Sequence, residues 1–264
     1  MSVAIITGAS SGIGKEFART LNKKLGVTEF WFVARRTDRM LALKEELEVE
    51  AEIVSADLTK SEGIEKLAEL LKEKSPRVKY LINCAGFGNF GSFDQLSSDT
   101  VEKMIDLNVK ALVLITHMVI PYMERGGRIV ELGSGSCFTP LPYFNTYAAS
   151  KAFVLHYTKA LNYEIKKYGL TATCFCPGWV ETEFLGIATE NEDVTMPKSM
   201  KPILKVEKTV AKCVKAMERG KRMCVTNWYT KMQHVLFKIL PDSILSKMWL
   251  GMLKHPKQDT EADD

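Results

Sequence analysis

Short apolar runs alternate along the chain with stretches in which apolar residues return every three or four positions. From these runs we predict seven strands, at residues 3–6, 30–34, 51–55, 80–83, 127–132, 171–176 and 223–227. Strands that alternate with helical stretches predict a parallel sheet covered by helices on both faces. Because ligands bind at the carboxyl ends of the strands in such a doubly wound α/β domain, we expect the functional residues there.

Two further apolar stretches with helical spacing follow the last predicted strand, at residues 232–240 and 244–253. Pro241-Asp242-Ser243 separates them and supplies the signals that end one helix and begin the next. They predict extra C-terminal helices. We expect their apolar stripes to stabilise the subunit or to cover the entrance of a binding site.

Length and composition suit one α/β domain with a full core, since the chain has 264 residues of which 46% are hydrophobic. The six cysteines form no Cys-x-x-Cys pair, so we predict free thiols in a reducing cytoplasm. No charged and then apolar leader precedes the first strand, and no apolar run reaches the roughly 20 residues that span a bilayer. The four histidines show no metal-ligand spacing, and no metal site is predicted.

The first predicted strand leads directly into a turn that contains Gly8, Gly12 and Gly14. Glycine permits positive φ and close backbone approach, and the N-terminus of the following helix presents N–H groups to a pyrophosphate. The spacing differs from the common Gly-x-Gly-x-x-Gly fingerprint of dinucleotide sites. A tight connection is the alternative, but the position of the turn after the first strand favours a nucleotide cofactor.

Tyr147 and Lys151 are four residues apart, so on a helix both side chains project from one face. An ammonium beside a phenol lowers the pKa of the phenol from about 10, which gives an acid and base for an alcohol or carbonyl oxygen. Ser134, thirteen residues upstream, adds a hydroxyl. The pair alone is a weak signal, because this spacing also occurs on ordinary exposed helix faces.

Seven motifs occur in order between residues 3 and 182. They are Thr7-Gly-Ala-Ser-Ser-Gly-Ile-Gly14, Ala56-Asp57-Leu58, Asn83-Cys-Ala-Gly86, Asn108, Ser134, Tyr147-x3-Lys151 and Pro177-Gly178. In order and spacing this set resembles the short-chain dehydrogenase/reductase family, apart from Cys84, where the family usually has Asn. The resemblance implies one Rossmann-like catalytic and cofactor-binding domain at residues 1–228, with a substrate lid at about 183–206. A helical extension of that domain at 229–257 and a polar tail at 258–264 complete the expected organisation.

The resemblance also implies a role for each of four catalytic residues. Tyr147 gives or takes the proton on the substrate oxygen, and Lys151 lowers the pKa of Tyr147 and binds the nicotinamide ribose. Ser134 holds the substrate oxygen. Asn108 kinks its helix and holds a water that leads to Lys151, with a core amide as the alternative. The implied cofactor-binding residues are Gly8, Ser10, Gly12, Ile13, Gly14, Arg35, Asp57, Leu58, Asn83, Ala85, Gly86, Tyr147, Lys151, Pro177, Gly178, Val180 and Thr182.

The residues after the second predicted strand indicate NADP(H) as the cofactor. Ala34 stands at the family position where an NAD-binding protein has an acid that holds the ribose diol. The guanidinium of Arg35 offers paired donors to a 2′-phosphate, and Ser10 offers a hydroxyl. A solvated basic loop is the alternative.

These expectations combine into an NADP(H)-dependent oxidoreductase that moves a hydride between nicotinamide and a secondary alcohol or ketone. The candidate pocket residues suit a bulky apolar substrate such as a hydroxysteroid or an acyl-chain ketone; they are Gly88, Phe90, Ser136, Phe138, Leu141, Phe144, Trp179, Phe184 and Leu185. A peripheral-membrane lipid or steroid reductase is one alternative. A non-catalytic NADP-sensing protein is another, although such a protein would not need both Tyr147 and Lys151.

Positive charge is concentrated towards the C-terminus. Between residues 198 and 257 there are 14 Lys and Arg residues against three acidic ones, a net charge of +11 in a chain of net charge +4. Basic helices with Trp and Met can lie on an anionic membrane surface, while lysines spread for solubility are the commoner explanation. We expect a cytoplasmic homodimer or homotetramer that binds no nucleic acid, with weak anionic membrane contact as the open alternative.

Overall fold

Nine strands are present in the computed structural model, which describes residues 2–23, 27–189, 194–237 and 239–254. They are β1 (Val3–Thr7), β2 (Glu29–Ala34), β3 (Ala51–Ser55), β4 (Val78–Asn83), β5 (Met123–Leu132), β6 (Thr171–Cys176), β7 (Met196–Pro197), β8 (Met223–Val225) and β9 (Leu253–Lys254). Seven of them form a parallel sheet in the order β3-β2-β1-β4-β5-β6-β8, and β7 pairs with β9. All seven predicted strands are confirmed.

Helices connect the strands and cover the sheet. Within the described ranges the α-helices are α1 (Gly12–Asn22), α2 (Thr37–Leu47), α3 (Ser61–Lys74), α4 (Ser98–Ile105), α5 (Leu112–Val119), α6 (Asn145–Ile165), α7 (Glu183–Ala188), α8 (Val206–Glu218), α9 (Trp228–Leu236) and α10 (Asp242–Gly251). A π-helix, Asp106–Ala111, joins α4 to α5.

Strand side chains alternate between two apolar cores, one on each face of the sheet. In β1, Ala4 and Ile6 pack with Phe17 of α1 and with apolar side chains of α8. Val3 and Ile5 pack on the other face with side chains of α3, α5 and α6. This alternation follows from the two-residue repeat of a strand. Helices therefore cover both faces, which confirms the doubly wound Rossmann-like fold, and the parallel strands end at one common edge.

The helical segment Ser98–Tyr122 has 25 residues and is apolar enough to cross a membrane by length and composition. The expectation that no segment reaches the spanning length is therefore corrected here. In the fold, Ala111, Ile115 and Val119 of this segment belong to the core beneath the sheet. A core helix passes the same test, so packing against the sheet accounts for the apolar composition.

The C-terminal helices α9 and α10 confirm the predicted helical pair, although α9 begins at Trp228 and ends at Leu236, four residues before the predicted bounds. They pack on the main domain: Trp249 Nε1 donates a hydrogen bond to the Pro142 carbonyl oxygen at 2.8 Å. The short β7–β9 ladder, which was not predicted, ties the chain end to the segment after α7. The predicted polar tail at 258–264 lies outside the described residues, as do residues 190–193 of the predicted lid.

Candidate active site

Glycines allow two loops to approach each other at the carboxyl ends of β1 and β4. Gly8 has a φ of +69°, and a Cβ there would lie 2.9 Å from the Ala85 backbone nitrogen. A Cβ on Gly14 would lie 2.4 Å from the Gly8 carbonyl oxygen. Both positions therefore need glycine. The strand order reverses between β1 and β4, which is where doubly wound sheets bind their ligands.

The N-terminus of α1 faces a cavity of about 820 Å³. Ser11 Oγ accepts a hydrogen bond from Arg36 Nη2 at 2.8 Å instead of capping α1. The backbone N–H groups of the first turn, from Gly12 to Gly14, can therefore bind an anion. This cradle of glycine backbone fits the pyrophosphate of a nicotinamide dinucleotide.

Nearly all of the predicted cofactor-binding residues line this one cavity. They are Gly8, Ser10, Gly12, Ile13, Gly14, Arg35, Asp57, Leu58, Ala85, Gly86, Tyr147, Lys151, Pro177, Gly178, Val180 and Thr182. Asn83 is the exception: it does not line the cavity, and the backbone contact expected of it beside the ribose stays a prediction. Its side chain turns into the interior, where Nδ2 donates to Thr116 Oγ1 at 2.9 Å and to Glu131 Oε2 at 3.2 Å.

Asp57 lines the cavity beside Arg35 as an ionised acceptor. Its Oδ1 accepts hydrogen bonds from the Thr59 backbone nitrogen at 3.1 Å and from Thr59 Oγ1 at 2.8 Å. Burial opposes ionisation, but these hydrogen bonds and the charge of Arg35 hold the pKa of Asp57 below its ordinary value. An ionised carboxylate can accept a hydrogen bond from the amino group of a ligand.

The predicted catalytic residues Ser134, Tyr147 and Lys151 meet at the carboxyl end of β5. The Tyr147 hydroxyl is hydrogen-bonded to Ser134. Lys151 Nζ donates to the Leu132 carbonyl oxygen at 2.7 Å and lies 5.6 Å from the centre of the Tyr147 ring. Tyr147 and Lys151 sit one turn apart on α6, as their spacing predicts. The fold thus brings a phenol, an ammonium and a second hydroxyl to one point of the cavity wall.

Asn108 lies in the π-helix and holds the loop that follows β4. Its Nδ2 donates to the Phe87 carbonyl oxygen at 2.9 Å, and its Oδ1 accepts from the Phe87 backbone nitrogen at 3.1 Å. The predicted distortion of the helix at Asn108 is present as this π-turn. A Cβ on Gly86 would lie 2.8 Å from Asn108 Oδ1 and 3.3 Å from Lys151 Nζ. Glycine at this position therefore allows Asn108 and Lys151 to flank the same backbone.

Burial sets the protonation of the Tyr147–Lys151 pair. It raises the pKa of Tyr147 above its ordinary value, although the hydrogen bond with Ser134 acts in the opposite direction. It lowers the pKa of Lys151 to about 8. The pKa of Tyr147 therefore does not lie below its ordinary value in the protein by itself, because desolvation of the phenol raises it, and the effect expected of Lys151 stays a prediction. At neutral pH Tyr147 keeps its proton and can act as an acid.

Aromatic side chains form the cavity wall around Tyr147. The Tyr147 ring centre lies 4.5 Å from that of Phe144 and 5.4 Å from that of Phe184. A Cβ on Gly88 would lie 2.5 Å from a Tyr147 ring carbon, so glycine is needed there. The predicted pocket residues that line the cavity are Ser136, Leu141, Phe144, Trp179 and Phe184, whereas Gly88, Phe90, Phe138 and Leu185 do not line it.

The opposite wall comes from the C-terminal helices, whose apolar stripes the sequence predicts either to stabilise the subunit or to cover the entrance of the site. Their cavity-lining residues are Met232, Gln233, Leu236, Phe237, Leu245, Met248, Trp249 and Met252. Apolar residues at helical spacing were the available signal. That spacing shows that a face is apolar, but it does not show which surface the face covers.

Arg36, which the sequence analysis missed, makes the basic contact beside the glycine turn. Its Nε and Nη2 donate to Ser10 Oγ at 3.3 and 3.2 Å. Arg35 lies exposed at the cavity edge. Spacing alone does not distinguish two adjacent arginines, because the direction of each side chain is set by the bend after β2.

Glu131 is a carboxylic acid buried in β5 next to the site. Thr116 Oγ1 lies 2.8 Å from its Oε1, and Lys151, Tyr157 and Cys84 are titratable groups near enough to interact with it. Burial raises the pKa of Glu131 to about 8, although hydrogen bonds from Thr116 and Asn83 oppose this shift. Asn83 Oδ1 has no hydrogen-bond partner among the described residues. Reversing this amide would let a protonated Glu131 donate to Oδ1, which agrees with a neutral acid.

The sequence is similar to those of known proteins. Residues 2–193 match the family model described as short chain dehydrogenase. The chain is 34% identical over 196 residues to sulfoacetaldehyde reductase 2 of Chromohalobacter salexigens. The aligned region covers 71% of this chain and 76% of that protein.

Two solved structures resemble the whole fold. A short-chain dehydrogenase from Sphingobium yanoikuyae in complex with NADPH has a TM-score of 0.76 and 26% identity, over 92% of this chain and 98% of that chain. The bulky-bulky ketone specific alcohol dehydrogenase from Comamonas testosteroni has a TM-score of 0.71 and 25% identity, over 92% of this chain and 96% of that chain.

The buried acid predicts a pH dependence of stability. Because folding raises the pKa of Glu131 from 4.5 to about 8, the free energy of unfolding should fall as pH rises through that window. The contribution to the slope is at most about 1.36 kcal/mol per pH unit. Glu131→Gln keeps the shape without the titration and should flatten the slope, as measured by urea unfolding between pH 5 and 8. Identical slopes for the two proteins would show that Glu131 does not titrate in this window.

Proposed function

Because the chain belongs to the short chain dehydrogenase family, whose members are oxidoreductases acting on CH–OH groups, we propose that it interconverts a secondary alcohol and a ketone with NADP(H). One observation carries the proposal: the Tyr147 phenol is hydrogen-bonded to Ser134 at the wall of an apolar cavity. The arrangement of Tyr147 and Lys151 supports an enzyme rather than a non-catalytic nucleotide sensor, because a sensor needs neither a buried phenol nor a buried ammonium.

The proposed mechanism gives each residue one task. When bound, the nicotinamide supplies or accepts the hydride. Tyr147 gives its proton to the substrate oxygen, and the Ser134 hydroxyl orients that oxygen and stabilises the charge on it. Lys151, with a pKa of about 8, is mostly protonated at neutral pH and keeps a positive charge beside the phenol. Asn108 holds the loop after β4 against Lys151.

NADP(H) is favoured by the charges beside the glycine turn. Ala34 offers no carboxylate to a ribose diol, whereas Arg36 places a guanidinium against the hydroxyls of Ser10 and Ser11. A 2′-phosphate accepts charge-assisted hydrogen bonds from such a group. Arg35 adds positive charge at the cavity edge. We therefore assign the 2′-phosphate contact mainly to Arg36 and to the two serines.

A bulky apolar ketone is the proposed substrate class, such as a ketosteroid or an acyl-chain ketone. Phe144, Phe184 and Trp179 line one wall, and the C-terminal helices add Met248 and Trp249 on the other. Such walls favour an apolar body with one oxygen for Tyr147 and Ser134. The similar Comamonas enzyme is named for bulky-bulky ketones, which supports this substrate class.

The protein is proposed to act in the cytoplasm as a homodimer or homotetramer. Leu114 of α5 and Phe153 of α6 are apolar side chains of the main domain, and they are 41% and 45% exposed. Exposed apolar side chains on neighbouring helices suit a contact with a second copy.

A peripheral-membrane reductase is the second candidate, and one surface favours it. Met232, Met248 and Met252 line the cavity and are 45–51% exposed, so they form an apolar rim at its mouth. Trp228 and Lys231 lie exposed on the same helix as Met232. Apolar side chains beside lysines match an anionic membrane surface, from which an apolar ketone could enter the cavity.

The catalytic assignment predicts a separation of binding from turnover. Tyr147→Phe removes only the exchangeable proton, so turnover should fall by at least about a hundredfold while NADPH affinity stays within about twofold. The loss of NADPH absorbance with a panel of apolar ketones measures the first quantity, and fluorescence titration measures the second. Substantial turnover in Tyr147→Phe would show that the proton comes from another group.

The cofactor assignment predicts unequal roles for the two arginines. NADPH should bind more tightly than NADH by about 1.5–3 kcal/mol, the range of a charged hydrogen bond. Arg36→Ala should remove most of this difference, and the matched Arg35→Ala control should remove less. Titration of the unmutated protein and of the two variants with both cofactors gives the six affinities. Equal affinities of the unmutated protein for NADPH and NADH would refute the assignment.

The membrane candidate predicts salt-sensitive binding to vesicles. The protein should sediment with phosphatidylserine-containing vesicles but not with neutral phosphatidylcholine vesicles, and binding should weaken when salt shortens the Debye length below about 10 Å. A double change, Met232→Glu with Met248→Glu, should abolish sedimentation. Phe93→Glu is the control, since Phe93 is 88% exposed and does not line the cavity. No sedimentation of the unmutated protein would leave the cytoplasmic enzyme as the sole candidate.

A further inference from the structure

The lid helix α7 is tied to the arginines after β2 through its first residue, Glu183. Arg36 Nη1 donates to Glu183 Oε2 at 2.8 Å, and Arg39 Nη1 donates to Glu183 Oε1. The two carboxylate oxygens are thus held by two different guanidinium groups. These contacts, that of Arg39 first, hold the pKa of Glu183 below its ordinary value although burial opposes them. Glu183 is therefore a carboxylate bound in an arginine pair.

Arg36 also belongs to a group of anion-binding donors that faces the cavity, whereas Arg39 does not line it. Arg36 donates to the hydroxyls of Ser10 and Ser11, and all three residues line the cavity together with Glu183. A guanidinium group beside two hydroxyls is a set of donors that suits a phosphomonoester. The carboxylate of Glu183 thus uses donors that a phosphate would need.

The ion pairs of Glu183 are weak enough for another anion to replace its carboxylate. The side chains of Arg36, Arg39 and Glu183 are 38%, 44% and 45% exposed. Ion pairs with this much exposure contribute little stability, because water screens them. A dianionic phosphate with three oxygens should therefore displace a single carboxylate from the same donors.

Helix α7 also reaches the catalytic centre. Phe184, the next residue, packs its ring 5.4 Å from the Tyr147 ring centre. The Ala188 carbonyl oxygen at the end of α7 accepts a hydrogen bond from the Phe90 backbone nitrogen at 3.4 Å. One short helix therefore connects Glu183 to the wall beside Tyr147.

We propose that Glu183 is a specificity-determining residue that occupies the 2′-phosphate subsite as an internal competitor and releases α7 when the phosphate enters. This inference rests on the proposed use of NADP(H). The inference predicts the direction of a change in affinity. Removing the carboxylate should strengthen the binding of ligands with a 2′-phosphate and leave the affinity for other adenine nucleotides unchanged. If Glu183 instead served only to orient Arg36, its removal would weaken the same ligands.

The test uses fragments that lack nicotinamide, so that the readout is binding. Adenosine 2′,5′-bisphosphate carries the additional phosphate, and adenosine 5′-monophosphate is the matched probe without it. Calorimetric titration should show that Glu183→Gln binds the bisphosphate roughly 3- to 10-fold more tightly than the unmutated protein, with the monophosphate unchanged. Glu181→Gln is the control, because Glu181 is exposed, carries the same charge and lies two residues away.

Amide hydrogen exchange tests the release of α7. In the unmutated protein, the bisphosphate should speed exchange at residues 183–189, and the monophosphate should not. Glu183→Gln should show fast exchange there without ligand. Unchanged or weaker bisphosphate binding in Glu183→Gln, or exchange that is insensitive to the bisphosphate, would overturn the role of Glu183. The proposed NADP(H) preference has a separate test, since it fails only if the unmutated protein does not bind the bisphosphate more tightly than the monophosphate. The two failures are therefore distinguishable.

Discussion

Burial of the Lys151 ammonium is the constraint on which the rest of the site depends. A charged amine in the interior is costly, and here the Leu132 carbonyl oxygen, 2.7 Å from Nζ, offsets part of the cost. The remaining cost appears as a pKa lowered to about 8. That carbonyl is available because β5 ends at Leu132, so the position of α6 against the end of β5 fixes both Lys151 and, one turn earlier, Tyr147.

Three chain segments that are distant in sequence close one cavity around this pair. The turn from Gly8 to Gly14 and the end of β2 form one end, α7 crosses the middle, and α9 and α10 form the far wall. The β7–β9 ladder and the Trp249–Pro142 hydrogen bond attach that far wall to the main domain. The charged end and the apolar end therefore belong to one continuous site, which the proposed function requires.

The sequence predicted those features that depend on local spacing. Strand runs, the glycine turn and the Tyr147–Lys151 pair all follow from periodicities of a strand or helix, and the fold contains each of them. Features set by side-chain direction after a bend were not predictable in this way. Arg36 rather than Arg35 contacts Ser10, and Asn83 turns inward to Glu131. The pKa of Tyr147 depends on how completely the phenol is desolvated, which spacing does not show.

Isotope transfer tests the central claim most directly, because it follows the hydride itself. NADPH deuterated at the transferring position of nicotinamide C4 would be incubated with the protein and a bulky apolar ketone, and the product examined by mass spectrometry. We expect an alcohol that carries one deuterium on the carbinol carbon. An alcohol without deuterium at that carbon, or no reduction of any ketone in a broad panel, would contradict it.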